Sequence, residues 1–460
     1  MRKALILLLF LLPASLMWLS CGGYNSSGST QASGLKYRAF ISNSVSSGTS
    51  SAGLYLLNAQ TDLLAPVAPI SGGNTPGMMV VTPNRAQTLV FSGSGTQGSD
   101  NQFTVINNAS EAAAGHLTLP GMTESFVVSP DSSGVYVALP TAQVIGQSPG
   151  VVKAVSLSSG SFTGEVDIPS IHYLSMDHSG NRILGFSDVL ASLASPCDQT
   201  PSFLFVVTPS NIGIQPCPVV PVPGVNHTFD HPVQAFFSSD DSTAFVVNCG
   251  PECGGIQASV QKLEMTPTQC LPDGVCAAVP VPAASEALVN GSTMYLAGTP
   301  YTGGQPSQPC TGQTTAATTC GLLTMVDLNT MTVTNSAPIV ITDGYHNRIA
   351  LGANGQLFLG SRTCTEIIPP VPAPPGAEVR GCLSIYNTQT GAVVIPPANG
   401  EVTGLQPIAT RTVVYVVQGG SLNIYDTATD ALEFNPHDPN QPGQIFGLVG
   451  QFIDVKTIDF

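Results

Sequence analysis

A β-hairpin signature returns about every 50 residues along this chain, and a repeat of that length restricts the fold to stacked or circularly closed units. One half of each unit is a strand with an apolar pair, usually carrying an aromatic: Phe40-Ile41, Val90-Phe91, Tyr136-Val137, Ile183-Leu184, Phe245-Val246, Tyr295-Leu296, Phe358-Leu359 and Tyr415-Val416. The other half closes in a polar turn, as in Asn58-Ala59-Gln60-Thr61, Asn107-Asn108-Ala109-Ser110, Asp327-Leu328-Asn329-Thr330, Asn387-Thr388-Gln389-Thr390 and Asp426-Thr427-Ala428-Thr429. Short Asn and Asp side chains bond their own backbone, which lets two strands reverse within a few residues. A further element precedes the aromatic strand, for example Val127-Val128-Ser129-Pro130-Asp131, giving four strands per unit. The reading is all-β: a single β-propeller of four-stranded antiparallel blades, eight by repeat count. The chain enters on the second strand of a unit at Tyr37 and ends in a strand-like run from Gln451 to Ile458. The terminal strands are therefore expected to close one blade and remove the edges an open sheet would expose.

The repeats resemble the YVTN family of propellers and, more loosely, the lactonase-like seven-bladed propellers. Val128-Ser129-Pro130-Asp131, Val135-Tyr136-Val137 and Tyr425-Asp426-Thr427-Ala428-Thr429 carry the likeness. It implies a propeller over residues 35–460, with seven blades as the alternative count. That family is defined by its repeats and not by a shared active site, so the likeness implies architecture more than activity. The family's Gly-x-x-Pro survives only in traces such as Thr75-Pro76-Gly77.

Arg2 and Lys3, an uncharged run from Ala4 to Leu19, and then Cys21 have the layout of a secretory signal peptide over residues 1–20. Leu19-Ser20-Cys21-Gly22 resembles a bacterial lipobox, although Trp18 departs from its usual aliphatic residue; Cys21 is the expected site of lipidation. Residues 21–34, rich in Gly and Ser, read as a flexible tether. The expectation is an exported bacterial lipoprotein of the cell envelope, at the outer membrane or cell surface, with the periplasm as alternative. Its contact with the membrane would run through the lipid anchor. Lys and Arg number 13 against 28 Asp and Glu, a net charge of −15 that argues against nucleic acid as a partner.

Setting Cys21 aside leaves ten of the 11 cysteines, an even number in an exported chain, and disulfides follow. Neighbour pairing is the simplest arrangement: Cys197–Cys217, Cys249–Cys253, Cys270–Cys276, Cys310–Cys320 and Cys364–Cys382. In a four-stranded blade the connections alternate between faces, so loop lengths can be assigned to faces. The Ser-Pro-Asp and Asp-x-x-Thr turns are short and share one face. Insertions over residues 187–201, 248–255, 300–321 and 362–381 follow aromatic strands and share the other, where function is expected.

Aligning the repeats places polar residues near the starts of several innermost strands: Glu124, His172, Glu286 and His346, with Asp230 and His231 slightly earlier. Innermost strands line the axial channel, so these six form a candidate cluster at its mouth. They read either as solvated channel lining or as acid, base and metal-ligating groups, which would make a divalent metal the one cofactor to test. The only tryptophan is Trp18, and no nucleophile elbow, phosphate loop or Ca²⁺ loop motif occurs. The leading expectation is a binding module presenting its disulfide-stapled face to a protein, peptide or glycan. The alternative is a metal-dependent lactonase or related hydrolase at the channel mouth.

Overall fold

The computed structural model describes residues 32–44, 51–93, 101–191, 201–214, 216–218, 229–265, 275–310, 319–367, 380–396, 400–433 and 451–460. Over them the chain forms eight antiparallel blades of four strands, with no α-helix. No helix among the described residues is long and apolar enough to cross a membrane.

Blade 1 is split between the chain ends: Phe452–Thr457 is innermost, followed outward by Arg38–Asn43, Gly53–Asn58 and Leu63–Leu64. Blades 2 to 8 start on the inner strands Pro76–Val81, Phe126–Val128, Ile171–Met176, Pro232–Phe237, Glu286–Asn290, Tyr345–Leu351 and Val402–Ile408. Ala39 pairs with Thr457 and Ile41 with Val455, so the last strand zips to the first and closes the ring.

Each aromatic pair lies on the second strand of its blade, where both faces pack against neighbouring blades. Val413–Gln418 (VVYVVQ) is buried at every position, and for that reason it reads as a continuous apolar run with no alternation. The outermost strands Ala112–Thr118 and Ser161–Asp167 are mostly exposed and mostly polar or small. Apolar clusters fill the spaces between blades; Phe103 of blade 2 meets Phe126 of blade 3 edge-on at 5.6 Å.

The short turns behave as their composition requires. Asn58, Asn107, Asp327, Asn387 and Asp426 each accept a backbone N–H from two or three residues on. In the second type of turn on that face, Asp131 accepts from Ser133 N at 3.0 Å and Asp240 from Ser242 N at 3.1 Å.

Two devices organise the channel. Pairing slips by a residue near the start of five inner strands, at Pro76/Met79, Ile171/Tyr173, Pro232/Gln234, His346/Arg348 and Val402/Gly404. Each slip is a β-bulge, which turns extra side chains toward the mouth. The inner edge of each inner strand has no further strand to pair with, and side chains of the preceding blade cap it in part. Leu174 N donates to Ser125 Oγ, Ala235 N to Ser175 Oγ and Ala287 N to Gln234 Oε1.

Cys249–Cys253, Cys310–Cys320 and Cys364–Cys382 are disulfides. Cys21, and the pairs Cys197–Cys217 and Cys270–Cys276 as disulfides, lie outside the described residues.

Candidate functional site: the mouth of the channel

The inner strands start on the face that carries the long insertions, and two adjoining cavities open among those starts. The larger, about 360 Å³, draws on blades 1 to 7 and holds Glu124, Tyr173, Glu286, Tyr345, Arg348 and Arg362. The smaller, about 270 Å³, is lined by His172, Asp188, His231 and Glu252 among others. Tyr173 and Tyr345 border both, with their hydroxyls 3.3 Å apart.

The six residues expected at the mouth fall into three groups. Glu124, on the link before Phe126–Val128, is exposed in the larger cavity, and Glu286 lines the same cavity half-buried. His172, skipped in the pairing of Ile171–Met176, turns to the smaller cavity and sets Nε2 2.9 Å from Asp188 Oδ2. Burial pulls its pKa down, but the bond to Asp188 overrides this and the net shift is upward. Asp230 fixes the loop beside it, since its Oδ2 accepts from Ile256 N at 2.6 Å and from Gln257 N at 2.7 Å. Its Oδ1 lies 2.9 Å from His231 Nδ1, whose ring rests 5.0 Å from that of Phe203.

His346 departs from the expectation. It is fully buried beneath the mouth, and neither ring nitrogen completes a hydrogen bond. The bulge at His346/Arg348 is the reason: it turns Asn347 and Arg348 to the cavity while His346 packs toward Gly321. Burial drives the His346 pKa down to about 4, against the opposing pull of Asp343. Glu124, His172, Glu286 and His346 therefore do not gather into one coordination sphere. The sole His/Cys/Asp/Glu group at ligand spacing among the described residues is Cys364, Glu366 and Cys382, whose sulfurs are joined to each other.

Sequence reasoning missed Glu252. It lies in the turn Gly250–Cys253, whose tight path rests on the Cys249–Cys253 bridge and on Gly250 at φ 63°, where a Cβ would sit 2.2 Å from Ala258 N. Thr299 N donates to Glu252 Oε2 at 3.1 Å. Burial nevertheless raises its pKa to about 8. Glu286 is likewise raised to about 7 by its surroundings, with Arg348 pulling the other way, although part of its surface meets the channel. The Tyr345 hydroxyl is pushed far up by burial and then by Tyr173. The mouth thus offers two carboxyl groups that retain protons near neutrality, two hydroxyls that stay protonated and two guanidinium groups.

A third cavity, about 680 Å³ and more apolar, lies on the same side between blades 4 and 5, with Leu190, Phe203, Phe229 and Ile256 in its walls.

No protein-family model matches the chain, and no curated protein matches it in sequence. Among solved structures it is similar to the dihydro-heme d1 dehydrogenase NirN in complex with DHE, at 11% identity and TM-score 0.57, over 95% of this chain and 78% of that one. It is also similar to hydrazine synthase of Kuenenia stuttgartiensis, at 12% identity and TM-score 0.51, over 77% of this chain and 96% of that one. A candidate 6-phosphogluconolactonase from Bacteroides uniformis overlaps 92% of this chain and 99% of its own at 13% identity and TM-score 0.45, too distant a likeness to carry an argument. At these identities the likeness is one of fold: the chain is an eight-bladed β-propeller.

Proposed function

We propose that this chain is an exported, lipid-anchored binding protein that captures its ligand on the face where the channel opens. One observation carries the reading: the three cavities described above, the long insertions and the described disulfides share a face, while among the described residues the self-bonded Asn and Asp turns lie on the other. Loops stapled in advance lose less freedom when a ligand arrives, which favours binding without adding contacts. Export and anchoring are supported by the signal-like residues 1–20, by Cys21 and by disulfide use.

The metal-dependent lactonase reading is the weaker one, because its four supposed ligands do not converge and His346 is sealed from the channel.

The test has two arms. Purified protein is applied to glycan and peptide arrays, with Tyr345→Ala as control; a ligand bound by the wild type and lost in the variant is expected. In an exporting host, Cys21→Ser should release the protein from the membrane fraction and abolish incorporation of a labelled fatty acid. Turnover of a lactone that requires an added divalent metal would overturn the binding reading, and unchanged membrane association of the Cys21 variant would overturn the anchor.

A further inference from the structure

Cations are scarce in this acidic chain, and five of those described are neutralised at close range. Arg38, Lys153, Arg182, Arg411 and Lys456 each meet a carboxylate. Arg348 and Arg362 do not: both line the larger cavity at the mouth, and neither has a carboxylate at ion-pair distance among the described residues.

Both guanidinium groups meet the bulged Asn347, and Arg348 is held by Thr403 as well. Arg348 Nη1 donates to the Asn347 backbone oxygen at 2.6 Å, and its Nε donates to Thr403 O at 2.7 Å. With the Asn347 amide turned so that its oxygen faces Arg362, it accepts from Arg362 Nε at 2.6 Å and Nη2 at 3.1 Å. Arg348 Nη2 and Arg362 Nη1 are left without partners among the described residues. Fixed, half-buried guanidinium donors with spare N–H groups suit a planar anion such as a carboxylate.

The walls of this cavity differ in character. Arg348 and Arg362 belong to blade 7 and Glu286 to blade 6, whereas Met78 and Phe91 belong to blade 2, Met122 to the link before blade 3, and Ile453 to blade 1. In a ring of eight, blades 6 and 7 stand opposite blades 2 and 3 across the axis. The cavity therefore has one side that carries both guanidinium groups and, facing it, a thioether-rich side adaptable to ligand shape, on which Glu124 beside Met122 is the one charged residue.

We propose that the channel mouth binds a small organic monocarboxylate with an apolar tail, its head on Arg348 and Arg362 and its tail against Met78, Phe91, Met122 and Ile453. The volume of about 360 Å³ accommodates such a molecule of medium chain length with water to spare. This ligand class deepens the binding reading and rests on it.

Titration calorimetry on the purified protein provides the test, with straight-chain carboxylates from butanoate to octanoate and with hexan-1-ol and hexylammonium as controls. Saturable binding of one molecule per chain is expected, tightening about three- to fourfold per added methylene until the cavity is full. Hexan-1-ol should bind at least about tenfold more weakly than hexanoate, and hexylammonium should not bind. Arg362→Gln should weaken hexanoate about tenfold without moving the melting temperature. Arg348→Gln should do the same, and Arg362 alone decides if loss of the Thr403 contact unfolds that variant. Equal affinity for the alcohol and the acid, or an Arg362→Gln protein that binds hexanoate as tightly as the wild type, would overturn the proposal. If the carboxylates fail while an arrayed neutral glycan or peptide binds at the mouth, the ligand class falls and the binding reading stands; if nothing binds, both fall.

Discussion

Met79 N donates to Asp454 Oδ2 at 2.9 Å, joining residues 375 positions apart in sequence on the inner strands of blades 2 and 1. Asp454 is almost wholly buried and also accepts from Val455 N at 2.8 Å, with Lys456 Nζ 3.3 Å away. The C-terminal strand thus completes its own blade and grips the next one. Removal of the carboxylate would strand two backbone donors in a buried site and leave the partly exposed Lys456 without this partner. Asp454→Ala is predicted to cost about 2–4 kcal/mol, read as a shift of the denaturant midpoint. A loss below about 0.5 kcal/mol, the size of an ordinary surface change, would contradict this role for Asp454.

His346 gives the fold an acid-side weakness. Its pKa is about 4 in the folded protein against 6.5 for the free group, so between these values the unfolded chain binds a proton that the folded chain refuses. Stability from this site is complete above about pH 6.5 and is lost as pH falls toward 4. His346→Leu needs no hydrogen-bond partner and cannot be charged. It should flatten the decline of melting temperature across that window, and an unchanged slope would count against the burial argument.

Glu286 acts in the opposite direction. Its pKa rises from 4.5 to about 7 on folding, so the folded chain holds a proton that the unfolded chain has released. The resulting contribution is full below about pH 4.5 and is lost as pH rises toward 7. Glu286→Gln stays neutral throughout and should hold stability more nearly constant over that range. The readout is unfolding free energy against pH, and a variant with the same decline as the wild type would show that Glu286 is charged and solvated at neutrality.

Much of the architecture could be read in the residues, because a propeller writes its repeat into every blade. The aromatic pairs mark second strands since those strands are buried on both faces, and the Asn and Asp turns mark reversals since their side chains bond the backbone. The candidate site was legible only in part. Glu124, His172, His231 and Glu286 do reach the mouth, but a bulge shifts facing by a residue and cannot be read from alternation. The motif Tyr345-His346-Asn347-Arg348 sits at the expected position in the ring, yet the polar residues it offers the cavity are Tyr345, Asn347 and Arg348. Glu252 left one trace, as the only acid between two cysteines four residues apart. Its proximity to Thr299 depends on how blades 5 and 6 pack, which no local pattern encodes.

The staples should separate stability from site chemistry. In the loop-entropy model a bridge spanning 18 residues, Cys364–Cys382, is worth about 3 kcal/mol, while the 4-residue Cys249–Cys253 is worth about 2. On stability alone the double serine variant of Cys364 and Cys382 should be the more damaging. The shorter bridge, however, holds the turn that presses Glu252 against Thr299 and keeps its carboxyl out of water. Replacing Cys249 and Cys253 with serine should let Glu252 relax toward solvent and bring its pKa down from about 8 toward 4.5. The infrared band of protonated carboxyl groups, followed across the neutral range, distinguishes the two variants. Loss of intensity at pH 7 is expected for the Cys249/Cys253 pair and not for Cys364/Cys382, which bridges blade 7. An equal response in both would mean that the ring as a whole, and not its local bridge, sets the protonation of Glu252.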